Sequence, residues 1–133
     1  MQTKNKNSQS NNINHEKRKF PRVYKNVAIK LKDAQVDFVT ETINLSCIGA
    51  YCQVDGYISA LTKLKITILL PRSEKKAKHI VCEGTVVRVE RTNNSLEPNT
   101  FNIAIYFNHI SKSDMHFIDN YVKTALTASQ QTP

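Results

Sequence analysis

The sequence predicts a mainly β domain that ends in one amphipathic helix and follows a disordered N-terminal tail. Two observations carry this prediction. Apolar residues recur at every second position in several short segments separated by turn residues, a pattern typical of an antiparallel sandwich or barrel. After Ser111 the apolar spacing changes to three and four residues, which is typical of a helix with one apolar face.

The first fourteen residues form a polar tail in which ten side chains are Gln, Asn, Ser or Thr. Such a segment buries too little apolar surface to offset the entropy lost on ordering, so we expect disorder over 1–14. A basic segment follows at 15–23, where Pro21 biases Phe20 towards extended geometry. We predict that the folded domain begins here and spans 15–126.

The alternating segments lie between 24 and 108. Val27, Ile29 and Leu31 show the pattern first, and it returns from Val36, Leu64 and Phe101 onwards. A short strand is predicted over 50–54 and a longer one over 80–90, where Gly84 indicates a bulge or a close backbone approach. The turn signals between them are Asp55-Gly56, Pro71 with the charged loop after it, and the segment 92–99.

The last element is a helix predicted over 111–126. Ser111 is a favourable N-cap, and Asp114 lies in the first turn, near the positive end of the helix dipole. Ile110 and Met115 have the spacing of a hydrophobic staple. We expect the apolar stripe of this helix to pack on the barrel and residues 127–133 to fray.

Length and composition limit the function classes. A chain of 133 residues fits one domain, and with 40% hydrophobic residues and no Trp its core must be mainly aliphatic. No apolar stretch approaches the roughly 20 residues of a transmembrane helix. The N-terminus has no apolar segment of a secretory signal, so we expect a cytoplasmic protein without a membrane span.

The net charge of +8 is concentrated at the N-terminus. Residues 1–32 hold nine basic side chains and one acidic one, whereas the rest of the chain holds ten of each sign. A basic arm on a neutral body predicts an anionic partner, such as a nucleotide, a nucleic acid or an acidic membrane surface. A merely solubilising tail explains the first lysines equally well.

The three cysteines do not predict a disulfide framework, because their number is odd and no signal peptide precedes them. A zinc site built from Cys47, Cys52, His79 and Cys82 is disfavoured, since none of their spacings forms the usual CxxC knuckle. We therefore predict no metal site and expect the cysteines to be small buried hydrophobes.

Two short motifs rise above this background. Arg18 and Arg22 form an RxxxR in the basic segment before the first strand, and Asn44, Ser46 and Gly49 form an NxSxxG between two strands. A guanidinium is a planar fork that pairs bidentately with phosphate oxygens or with the O6/N7 edge of guanine. Two of them, four residues apart, can clasp one compact dianion.

Together with the later Gly84-Thr85-Val86-Val87-Arg88 strand and the closing helix, these motifs resemble the PilZ domain family over about 15–125. PilZ domains are bacterial cyclic di-GMP receptors built on a six-stranded antiparallel β-barrel. The resemblance implies that Arg18, Arg22, Asn44, Ser46 and Gly49 bind the dinucleotide.

Three further residues are secondary candidates by the same resemblance: Lys17, Gly84 and Arg88. Family members with an arginine directly before RxxxR often take up a stacked ligand pair. Lys17 occupies that position here, which leaves one or two ligands per chain open. Asn44 stands where an aspartate is common, so it lacks a charge-assisted bond to guanine.

We therefore expect a receptor without catalytic activity or cofactor that signals to an effector protein. No nucleophile elbow, P-loop, HExxH or GxGxxG is present, so no catalytic residue is predicted. One alternative is a small barrel that binds single-stranded nucleic acid, which the lack of a clear aromatic platform beside the basic residues disfavours. Another is a PilZ-type adaptor that binds only protein. Oligomeric state is left open.

The basic arm, residues 1–23, is also a candidate switch. Ligand phosphates would offset its charge and draw Phe20 and Pro21 against the barrel, which would alter the surface that a partner meets.

Overall fold

The computed structural model describes residues 19–92 and 96–131, with side chains through 128. The predicted tail over 1–14, Lys17, Arg18 and residues 132–133 lie outside the described residues. The described chain forms six strands and one helix: β1 (Ala28–Lys32), β2 (Asp37–Ser46), β3 (Gly49–Val54), β4 (Lys63–Arg72), β5 (Lys75–Arg91), β6 (Phe101–His109) and α1 (Lys112–Gln131).

The strands close into an antiparallel barrel in the order β1-β2-β3-β6-β5-β4. Alternate residues along most of the strand length point into an aliphatic core, as predicted, and register shifts interrupt the alternation in β2 and β5. Ile29, Leu31, Ile66, Ile68 and Ile103 are among its fully buried side chains. The predicted barrel with a C-terminal helix is thus confirmed.

The charged segment after Pro71, predicted as a loop, is mostly strand. Leu70 pairs with Lys78 and Arg72 with Lys75, so only Ser73 and Glu74 form the turn. Charged side chains are tolerated there because this end of the hairpin is exposed to solvent, and pairing with β4 supplies the backbone hydrogen bonds. Glu74 takes a left-handed φ of 62°, as tight hairpin turns require.

Gly84 lies at the irregularity that the sequence predicted. The register between β5 and β6 shifts between Glu83 and Gly84. A Cβ at Gly84 would approach the carbonyl oxygen of Tyr106 to 2.8 Å and would also meet Ile66. Close packing within the barrel wall therefore explains this glycine.

The helix begins where predicted and ends later. The hydroxyl of Ser111 accepts a hydrogen bond from the Asp114 amide at 3.0 Å, which confirms the N-cap, and Ile118 and Val122 are buried against the barrel. The helix continues to Gln131, five residues past the predicted end at 126, and includes 127–131, which we expected to fray. No Gly or Pro lies between Ser111 and Pro133, so the sequence provides no helix stop signal before Pro133.

Candidate ligand-binding site

A cavity of about 780 Å³ lies on the outer face of the barrel, over β2, β3, β5 and β6. The outward-facing Tyr51, Ala104 and Tyr106 contribute to its lining, and the segment 19–24 borders it. The charged side chains that line it, among the described residues, are Lys19, Arg22 and Arg88, with no carboxylate. The cavity is therefore electropositive and suited to an anion.

The arm is fixed to the barrel one residue after Arg22. The amides of Val23 and Leu45 each donate to the carbonyl of the other, at 2.9 and 3.0 Å. Val23 is buried, and Phe20 packs against the core cluster. Arg22 is exposed and faces the cavity, so the backbone bridge sets the position from which its guanidinium can reach a ligand.

A bulge in β2 turns Asn44 and Ser46 towards the cavity. Up to Thr42 the even-numbered residues of β2 face the core, and regular alternation would place Asn44 there too. The register with β3 shifts between Thr42 and Asn44, so Ile43 is the extra residue. After it the parity reverses: Leu45 enters the core, and Asn44 and Ser46 line the cavity.

Ser46 and Gly49 shape the β2–β3 turn as well as the cavity. The Ser46 hydroxyl accepts a hydrogen bond from the Ile48 amide at 3.2 Å, which leaves its own proton available to a ligand. A Cβ at Gly49 would collide with the carbonyl oxygen of Ile105, so contact with β6 requires this glycine. The family resemblance singled out Gly49 as a ligand residue, and the close backbone of β6 is by itself a reason for a glycine at this position.

A second bulge, in β5, turns Arg88 outward. The register with β6 shifts between Val86 and Arg88, so Val87 and Arg88 both face outward. The Arg88 guanidinium lies 5.5 Å from the centre of the Tyr51 ring, and its Nε is 3.5 Å from Glu90 Oε2. These contacts hold the guanidinium plane beside the cavity.

Tyr51 and Glu90 complete this cluster. The Tyr51 hydroxyl donates to Glu90 Oε1 at 2.8 Å. Burial first, and then the hydrogen bond to the Glu90 carboxylate, raise the pKa of Tyr51. Tyr51 therefore stays protonated near neutral pH and gives Arg88 a neutral, electron-rich surface.

The structure brings together five of the eight residues singled out from the sequence, namely Arg22, Asn44, Ser46, Gly49 and Arg88. Arg18 and Lys17 lie outside the described residues, and Gly84 is buried elsewhere in the wall. Sequence reasoning missed the aromatic residues: Tyr24, Tyr51 and Tyr106 all line the cavity. The alternation of β3 and β6 marks Tyr51 and Tyr106 as outward-facing, but it does not show that both line the same cavity.

Another cavity, of about 790 Å³, lies on a different part of the barrel surface. Lys32, Lys63 and Lys65 line it together with the carboxylates of Asp33 and Glu83. None of the predicted ligand residues that the structure describes lines it. Among the described residues, no group of three or more His, Cys, Asp or Glu side chains could hold a metal ion.

Comparison with known families decides the classification. The model of the PilZ domain family matches residues 16–124, most of the chain and all of the barrel. The chain belongs to the PilZ domain family. No curated protein sequence matches it significantly.

Solved PilZ structures share this fold at low sequence identity. The motility inhibitor MotI/DgrA of Bacillus subtilis is 18% identical, with a TM-score of 0.73 over 84% of this chain and 52% of its own. The PilZ domain of Escherichia coli YcgR, solved with c-di-GMP, is 10% identical, with a TM-score of 0.62 over 87% of this chain and 99% of its own.

Klebsiella pneumoniae MrkH is 14% identical, with a TM-score of 0.64 over 81% of this chain and 48% of its own. This PilZ chain therefore spans about half the length of MotI and MrkH. No helix among the described residues is both long enough and apolar enough to span a membrane.

Proposed function

We propose that this PilZ domain is a cyclic di-GMP receptor that binds the dinucleotide in the cavity beneath the arm and signals its occupancy to an effector protein without catalysis. The observation that supports the proposal is that described residues of both motifs line one cavity. Arg22 from the arm meets Asn44, Ser46 and Gly49 from the β2–β3 region in one electropositive cavity of about 780 Å³. That volume is within the range of about 300–1,000 Å³ typical of small-molecule sites.

Each side chain supplies a contact that cyclic di-GMP can use. The guanidinium of Arg22, and that of Arg18 by family resemblance, pairs bidentately with phosphate oxygens or the O6/N7 edge of guanine. The Asn44 carbonyl accepts from guanine N1–H or N2–H, and the Ser46 hydroxyl donates to phosphate or base.

The cluster of Tyr51 and Arg88 adds a stacking surface. Arg88 already lies over the Tyr51 ring, so its opposite guanidinium face is available to a purine. Tyr106 lines the same cavity and is about half exposed. Guanine bases can thus be held by their edges and by their faces.

One observation favours a second function. Three tyrosines line the cavity beside three cations, which provides the aromatic platform that the sequence did not reveal. Single-stranded nucleic acid binders stack bases on such residues. They also need a cationic groove that follows several nucleotides, whereas the cations here surround a single cavity. We therefore favour the dinucleotide.

Isothermal titration calorimetry distinguishes these functions. We expect cyclic di-GMP to bind in preference to cyclic di-AMP, GTP and a single-stranded oligonucleotide, and the stoichiometry to settle whether one or two molecules bind. Oligonucleotide binding that falls steeply with salt, without dinucleotide binding, would establish the nucleic-acid function instead. Binding of none of these ligands would contradict the receptor and favour a protein-only adaptor.

A further inference from the structure

Arg88 belongs to a row of side chains that crosses three strands of the barrel wall. Ala104 on β6 lies directly opposite both Tyr51 on β3 and Arg88 on β5. Because the side chain of Ala104 is a single methyl group, Arg88 can reach across it, and its guanidinium comes within 5.5 Å of the centre of the Tyr51 ring. All three residues line the cavity, so the row forms one stretch of its wall.

Glu90 contacts both ends of this row. It follows Arg88 by two residues on β5, so the two side chains project from the same face of the strand. Its Oε1 accepts a hydrogen bond from the Tyr51 hydroxyl at 2.8 Å, and its Oε2 lies 3.5 Å from Arg88 Nε. Each carboxylate oxygen thus engages one of the two side chains, while Glu90 itself does not line the cavity.

A carboxylate at this place is unfavourable for anion binding by charge alone. It offsets the charge of Arg88, one of the three cations that line the cavity among the described residues. Stability does not account for the pair either, because the Arg88 and Glu90 side chains are 60% and 51% exposed, and exposed ion pairs stabilise a fold only slightly. The contacts instead provide orientation: an arginine that is fixed before the ligand arrives loses less conformational entropy on binding.

We propose that Glu90 is a positioning residue that fixes the Arg88 guanidinium against Tyr51, so that its open face is ready to stack on a guanine of cyclic di-GMP. This inference rests on the proposed function, because the ligand is the one assigned there. In this arrangement Arg88 serves as a flat stacking surface rather than as a free charge, which is a role that the planar guanidinium can fill.

The test compares Glu90→Gln with Glu83→Gln, which removes the same charge from the same strand. Glu83 is also exposed, but it pairs with His109 and lines the other cavity. The amide of Glu90→Gln has one acceptor oxygen, so it cannot serve both Tyr51 and Arg88. We expect it to weaken cyclic di-GMP binding at least about threefold in calorimetry, with Tm unchanged, whereas loss of a nearby negative charge alone would tighten binding. Glu83→Gln should keep wild-type affinity.

A double-mutant cycle tests whether Glu90 acts through Arg88. Arg88→Ala should weaken cyclic di-GMP binding at least as much as Glu90→Gln does. Adding Glu90→Gln to Arg88→Ala should then cause no further loss, because the side chain that Glu90 positions is already absent.

The outcomes separate this inference from the function it rests on. Equal or tighter binding by Glu90→Gln would overturn the positioning role and leave the receptor intact. So would wild-type affinity in Arg88→Ala, or an undiminished effect of Glu90→Gln in the Arg88→Ala background. A wild-type protein that does not bind cyclic di-GMP would overturn the proposed function, and this inference with it.

Discussion

Arg22 lies where the arm leaves the barrel, directly before the residue whose backbone bonds to β2. It is exposed, so replacing it should not disturb the core. We predict that Arg22→Lys weakens cyclic di-GMP binding at least about tenfold, or about 1.4 kcal/mol, because an ammonium cannot replace the bidentate fork.

The control is Arg72→Lys. Arg72 lies near the tip of the β4–β5 hairpin, where its Nε donates to the Lys76 carbonyl, and neither residue lines the cavity. Calorimetry should give wild-type affinity for this variant. Wild-type affinity in Arg22→Lys as well would show that Arg22 acts only as a point charge or does not touch the ligand.

At the residue scale the sequence predicts which side chains line the cavity better than why they are there. Gly49 was selected as a ligand contact, yet the carbonyl of Ile105 is what excludes a side chain at that position. Tyr51 carried no sequence signal of its own. Its role depends on Glu90 and Arg88, which lie about forty residues further along the chain and become neighbours only through the pairing of β3, β6 and β5.

At the scale of elements, the arm is the segment that we expect to become ordered when the ligand binds. The Val23 and Leu45 amides already donate to each other's carbonyls, whereas no backbone hydrogen bond of this kind is formed by 19–22 among the described residues. We predict that cyclic di-GMP slows amide exchange over 17–22 and leaves Val23 and Leu45 unchanged.

Hydrogen exchange followed by mass spectrometry or NMR measures this directly, with Val23 and Leu45 as internal controls. Equal exchange over 17–22 with and without ligand would leave a receptor whose arm is not a switch. Slower exchange at all these positions together would instead indicate general stabilisation by mass action.

The strands and the helix start were predictable because each depends on local pattern. Alternation placed the core residues, and Ser111 marked the N-cap that the structure confirms. The bulges at Ile43 and Val87 were not predictable, because a bulge is defined by the partner strand. They matter most for the site, since they turn Asn44, Ser46 and Arg88 towards the cavity, where regular alternation would point them into the barrel core.

At the scale of the whole molecule, barrel closure assembles the site from distant segments. Strands β3 and β6 are neighbours although two strands separate them in the chain, and this pairing brings the β2–β3 motif beside Arg88 on β5. The neutral charge balance after residue 32 hides the one cation that this part of the chain adds to the cavity, Arg88. Net charge predicted an anionic partner at the arm, but only the fold shows the other residues that line the cavity.

Alkaline pH should destabilise the barrel through its buried thiols. Burial raises the pKa of Cys52 and Cys82 from 9.0 to about 12. Between these values the unfolded chain loses the thiol protons and the folded protein keeps them. The free energy of unfolding should therefore be unaffected by these groups below about pH 9 and fall above it, by up to about 1.4 kcal/mol per pH unit for each thiol.

Urea denaturation at a series of pH values measures this slope. The double variant Cys52→Ala, Cys82→Ala lowers stability at every pH through the cavities it leaves, but its decline above about pH 9 should be shallower than that of the wild type. A decline of equal steepness in both proteins would show that other groups, such as tyrosines and lysines, cause it.

The central claim is that cyclic di-GMP binds beneath the arm, and NMR chemical-shift mapping of the labelled protein tests it most directly. We predict that the largest shifts on titration fall on the backbone amides of Arg22, Asn44, Ser46, Gly49 and Arg88. The amides of Lys32, Lys63 and Lys65, which line the other cavity, should stay unchanged. Shifts centred on those lysines, or none at saturating dinucleotide, would contradict the account.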